Sequence, residues 1–210
     1  MESHPYNYAI VRSFVTWSII WGLVAILVGV LISFQLVNPD LNFAPYLTYG
    51  RLRPLHTNAG IFGWGIGSFF ALFYYMVQRL CRTGLWSDGL AKFQLWFFNA
   101  TIIAAAVTLL LGFNSSKEYH ELEWPIDIMV VILWVIFAIN IIMTIVKRRE
   151  EQMYISLWYM LAALVGVAVL YLVNAAEVPV SLFKSYSAYA GTNDANVQWW
   201  FGHNAVAMVL

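Results

Sequence analysis

"RLRPLHTNAGIFGWG", residues 51–65, sets two arginines, a proline and a histidine at the mouth of an apolar run that continues to about Leu80. That run exceeds the roughly 20 residues a helix needs to cross a bilayer. Its apolar residues are continuous rather than alternating, which separates a membrane helix from a barrel strand. Pro54 suits the first turn of a helix, so the spacing predicts a span over about Leu55–Leu80.

Working outward, the same pattern recurs. Apolar segments are read at about Ala9–Val37, Leu90–Phe113, Pro125–Val146 and Met153–Asn174, and a sixth starts near Asn193. Ser87 or Asp88 is a candidate N-cap for the third span, and Pro125 opens the fourth. The sixth run, "GHNAVAMVL", is still continuing at Leu210, too short to span, so the reading expects the N-terminal part of a longer membrane subunit. The predicted fold is all-α: a polytopic helical membrane bundle of about six transmembrane helices, the last truncated, forming one membrane domain over residues 1–210.

Composition agrees. Of the 210 residues 61% are hydrophobic and 10% charged, against about a quarter charged in soluble domains. The net charge is zero and no basic run is present, which argues against nucleic acid as a partner. A single cysteine, Cys81, excludes an internal disulfide or a cysteine-built metal centre within the chain. No GxxxxGK, HExxH or GxSxG pattern occurs. If the N-terminus lies on one side, that side collects seven basic residues (Arg12, Arg79, Arg82, Lys92, Lys147, Arg148, Arg149) against four (Arg51, Arg53, Lys117, Lys184) on the other. The positive-inside rule then makes the N-terminal side cytoplasmic. His56, His120 and His203 fall at the outer face.

His56 is followed by Gly60, Gly63 and Gly67 at spacings that share one face of an α-helix. Such a strip lets a flat body approach the backbone. A second helix is the reading that spacing alone favours; a macrocycle with its iron on the histidine is the other. Arg51 and Arg53 either snorkel to headgroups or bind carboxylates, such as haem propionates, through the guanidinium fork. His203, in "QWWFGHNAVAM", is an interhelical hydrogen-bonding histidine or a metal ligand. The glutamates of "KEYHELEWPID", residues 117–127, form a solvated loop or an oxygen-rich site for a hard cation. His120 in that loop reads as exposed, and His4 as part of a tail without a role.

Three motifs in this order, "RPLHTNAGIFGWG", "EYHELEWPIDI" and "VQWWFGHNAVA", resemble subunit I of the cbb3-type cytochrome c oxidases, within the haem–copper oxygen reductases. The resemblance runs along essentially the whole chain. It implies that His56 is an axial ligand of low-spin haem b and that His203 is one histidine of copper B, facing the high-spin haem b. It further implies that Glu118 binds a Ca²⁺ near the haem propionates with Glu121 as a neighbour, that Arg53 and Arg51 lie near those propionates, and that the glycine strip is clearance for the haem. The expected activity is reduction of oxygen to water with electrons from cytochrome c, coupled to proton translocation. Expected partners are membrane lipid, membrane-anchored c-type cytochromes and other oxidase subunits, and a C-terminal half carrying the remaining ligands. The expected location is a bacterial inner membrane. A nitric oxide reductase large subunit is the alternative within the superfamily, and a non-redox polytopic membrane protein the alternative outside it.

Overall fold

The structure, a computed structural model, describes residues 6–115 and 117–209; His4 and Leu210 lie outside the described residues. Helix α1 (Tyr8–Val37) begins where the Asn7 side chain accepts a bond from the Ile10 amide at 3.0 Å. The second span is continuous over Tyr49–Cys81 but is built in three pieces: α2 (Tyr49–Asn58), a π-helical stretch (Ala59–Ile66) and α3 (Gly67–Cys81). It therefore starts earlier than expected, and Pro54 sits inside α2 rather than in its first turn. The Thr48 carbonyl begins the helix by accepting from the Arg51 and Leu52 amides. Pro54 then removes only the bond its nitrogen would have given to Gly50.

Helix α4 (Asp88–Leu111) follows, with the Ser87 hydroxyl accepting from the Leu90 amide at 3.1 Å, and it stops at Gly112, whose φ of 91° is left-handed. Helix α5 (Trp124–Val146) has Pro125 in its first turn, and α6 (Ile155–Asn174) completes the spans. A two-stranded antiparallel hairpin, β1 (Glu177–Ser181) and β2 (Lys184–Ser187), leads into α7 (Thr192–Val209). The hairpin and the π stretch had no counterpart in the sequence reading. Among the described residues five spans are long and apolar enough to cross a membrane, and α7 is not one of them.

Aromatic side chains make the core. Phe14, Phe70, Tyr74, Phe98 and Phe137 are buried, with Phe70 and Phe137 centroids 4.6 Å apart and Phe70 edge-on to Phe98 at 5.7 Å. Such pairs add to area burial through their quadrupoles. Polar ties cross between helices: the Trp21 indole donates to Asn99 Oδ1 at 2.9 Å, and Asn140 brackets the Ser87 amide and carbonyl at 3.1 and 3.0 Å. Outside this core α1 exposes Leu23, Ile26, Leu27 and Phe34, an apolar row suited to lipid or to further helices.

Candidate functional site

His56 lies near the end of α2, just before the π stretch. Its ring rests on α1 at Gly29, where an added Cβ would stand 2.7 Å from His56 Cε1. His56 Nδ1 is 2.8 Å from the Ala25 carbonyl. A carbonyl can only accept, so Nδ1 carries a proton, and in the neutral ring Nε2 keeps its lone pair. Among the described residues Nε2 has no hydrogen bond. A pinned Nδ1–H with a free Nε2 is the arrangement that orients a histidine toward a metal.

The glycine strip, in contrast, faces protein. A Cβ at Gly63 would meet Trp21 at 2.8 Å, one at Gly67 would meet Ser18 at 2.5 Å, and Gly60 faces Ala25. These glycines serve the close approach of α1, as the helix-packing reading had it, and are not clearance for a flat cofactor. His56 and the three glycines do share one face, as their spacing predicts, and that face lies along Gly29, Ala25, Trp21 and Ser18 of α1.

The arginines and glutamates gather around the same end of α2. Arg51 Nη1 donates to the Leu110 carbonyl at 2.6 Å and its guanidinium lies 5.7 Å from the Tyr46 ring. It thus caps the negative end of α4. Arg53 and Glu118 form an ion pair. Glu121 is buried; its Oε2 accepts from Asn58 Nδ2 at 2.9 Å, while Oε1 has no partner. Burial pushes the Glu121 carboxyl above its usual range, offset in part by that Asn58 bond. The loop is therefore fastened to α2 on both sides of His56. His203 stands apart on α7, which packs along α6; its ring is exposed and, among the described residues, makes no hydrogen bond.

His120 corrects the sequence reading. It is 2% exposed, not solvated, with its ring against Tyr171 and Phe201 at 4.8 and 5.8 Å. A turn at Tyr119 (φ 62°) bridges Lys117 to His120, and the loop sends Glu118 and Glu121 to one side and Lys117, His120 and Glu123 to the other. Glu118 and Glu121 face α2. His120 faces Asp127 of α5, with Nε2 and Oδ2 3.5 Å apart. Lys117 is equally buried; it donates to the Asn174 carbonyl and stands 3.5 Å from Asp194. Glu123 accepts from the Ser185 hydroxyl at 2.8 Å and faces Lys184 at 3.7 Å. Burial raises the Glu177 carboxyl above its usual range, with Ser185 opposing. Sequence reasoning missed this network because its partners come from the hairpin and α7, some 50 or more residues downstream. The density of charge in 117–127 was the signal that existed. Beneath the loop lies an apolar cavity of about 160 Å³, walled by Phe62, Phe70, Phe98, Leu133 and Trp134, with His120 on its lining.

The chain matches the family model described as cytochrome c and quinol oxidase polypeptide I over residues 9–210. It is 49% identical over 209 residues to the cbb3-type cytochrome c oxidase subunit CcoN1 of Stutzerimonas stutzeri, covering 99% of this chain and 44% of that protein. It is 43% identical over 203 residues to a cytochrome c oxidase subunit 1 homolog of Agrobacterium tumefaciens, covering 96% and 38% of the two. With cytochrome c oxidase subunit 1 of Rhodobacter capsulatus it shares 42% identity over 211 residues, covering 98% and 40%. The chain spans less than half the length of these curated relatives.

Proposed function

Since the chain belongs to the family of cytochrome c and quinol oxidase polypeptide I, we propose that it supplies the low-spin haem b ligand His56 and the copper B ligand His203 to the catalytic subunit of a cbb3-type terminal oxidase. Its five spans and its bacterial relatives make it a multi-pass bacterial membrane protein; we place it in the inner membrane, and the excess of Lys and Arg on the N-terminal side supports a cytoplasmic N-terminus. The observation that carries the reading is the His56 Nδ1–Ala25 carbonyl bond at 2.8 Å, which fixes the tautomer with Nε2 available. The donor set fits haem iron, for which histidine is a common axial ligand.

When bound, the haems and copper supply one-electron relay and an oxygen-binding centre. The chain's own residues hold and orient. The Gly29 surface and Ala25 carbonyl fix the His56 plane. Arg53 places positive charge one turn before it and suits a propionate. The unpaired Oε1 of buried Glu121, beside Glu118, offers oxygen to a Ca²⁺. His203, exposed on α7 and without a hydrogen bond among the described residues, would hold copper through its imidazole. The remaining ligands, oxygen reduction to water, proton translocation and docking of membrane-anchored c-type cytochromes then belong to chain and subunits outside these 210 residues.

The test is the absorption spectrum of the purified full-length subunit in its complex. A reduced low-spin b-type band is expected, and His56→Ala should abolish it while the membrane fraction still holds the protein. A wild-type spectrum without that band overturns the reading. Metal analysis separates the oxidase, which contains copper, from a nitric oxide reductase, which contains non-haem iron in its place.

A further inference from the structure

We propose that His120, Asp127 and Glu177 form a binding site for a divalent transition-series cation, with Zn²⁺ the best match, where the 117–123 loop, α5 and the hairpin meet. One ligand atom from each of the three lies within 4.8 Å of the others. Two donor atoms of this cluster are stranded: His120 Nε2 and Asp127 Oδ2 have no hydrogen-bond partner among the described residues, although their residues are 2% and 5% exposed. Each unpaired buried polar atom costs about 1–3 kcal/mol, and these two point at one another across 3.5 Å. That gap is long for a hydrogen bond. It matches the separation of about 3.4 Å between two ligands held at 2.0–2.1 Å from one tetrahedral zinc ion.

The surroundings complete the case. Asp127 is oriented by the Tyr171 hydroxyl, which donates to Oδ1 at 2.7 Å and leaves Oδ2 turned inward. The Ser185 hydroxyl touches the Glu177 carboxylate, holding it on the hairpin side. Second-layer bonds of this type commonly fix ligating carboxylates. The Tyr171 and Phe201 rings wall the imidazole and keep the site dry. Nearby cations are already engaged, Lys117 with Asn174 and Asp194 and Lys184 with Glu123, so the two carboxylates lack a counter-charge of their own. One nitrogen and two oxygen donors suit zinc with an open fourth position; Ca²⁺ asks for six or more oxygens. The site differs from the Glu118–Glu121 side of the loop, which faces Arg53 and Asn58. A bound ion here would lock the hairpin to α5, and the proposal stands apart from the haem reading.

The experiment uses the full-length subunit in its assembled complex, freed of metal by chelator and titrated with Zn²⁺, with bound zinc read by plasma mass spectrometry and its shell by zinc-edge X-ray absorption. Wild type is expected to take up one equivalent with a nitrogen/oxygen shell and no sulfur. Glu177→Gln and Asp127→Asn should weaken it at least tenfold, and Glu177→Asp should restore part of the affinity. The haem spectrum of Glu177→Gln, a hairpin residue, should equal that of wild type and so report an intact fold. Equal zinc affinity in wild type and Glu177→Gln overturns the proposal. So does wild type that takes up no zinc; His120 and Asp127 are then a simple ion pair.

Discussion

Arg53 and Glu118, 65 positions apart in sequence, meet as an ion pair that ties the entry of the second span to the α4–α5 loop. Both side chains are partly exposed, 45% and 33%, so the pair by itself contributes on the order of 1 kcal/mol or less. Its weight is positional, because the same glutamate is the expected Ca²⁺ ligand. Glu118→Ala should lower both bound calcium and haem retention in the full-length subunit, measured by plasma mass spectrometry and absorbance. Unchanged calcium would leave Glu118 as a partner of Arg53 alone.

Gly29→Ala tests the seat of His56. The new Cβ would lie 2.7 Å from Cε1 and 3.0 Å from Nδ1, so the ring must turn and loosen its bond to Ala25. The low-spin band should shift or broaden in Gly29→Ala and vanish in Gly29→Leu, with helix content by circular dichroism unchanged. Gly50→Ala, where nothing lies within 4 Å, is the control and should leave the band intact.

Asn140 is fully buried and its Oδ1 holds the Ser87 amide at 3.1 Å. Asn140→Leu strands that N–H at the start of α4, a loss of about 1–3 kcal/mol. A lowered thermal midpoint in detergent is expected; an unchanged one would show that water replaces the side chain.

Trp21→Phe removes the indole N–H from Asn99 Oδ1, a bond of 2.9 Å between α1 and α4. Interhelical bonds of this kind average about 0.6 kcal/mol in membranes, and a double-mutant cycle with Asn99→Ala should return a coupling of that size. A coupling indistinguishable from zero would assign Trp21 to packing alone.

What the sequence made legible was local. The Ser87 cap and the Pro125 helix start each depend on residues within one turn, and both spans begin within two residues of expectation. The burial of His120 was not legible, because Tyr171 and Phe201 must first be folded over it, and each arrives from a distant segment. The glycines were legible as a helix-packing face, but not which helix they receive. Their spacing specifies a narrow surface, but only the position of α1 says what fills it. Arg51 and Arg53 read as equivalent cations at a helix entry; Leu110 and Glu118 separate them.

The π stretch at Ala59–Ile66 sits between two parts of one span that answer to different demands. Above it, His56 must hold a set angle to α1; below it, Phe69, Phe70 and Tyr74 must interlock with α4 and α5. A uniform helix would gear the two together, so that any rotation suiting the histidine would unseat the aromatic rings. The wider turn is a phase coupling that lets each end keep its own azimuth. Deleting one residue there would leave composition and length nearly untouched while removing that freedom, because the stretch would close to the α-helical turn.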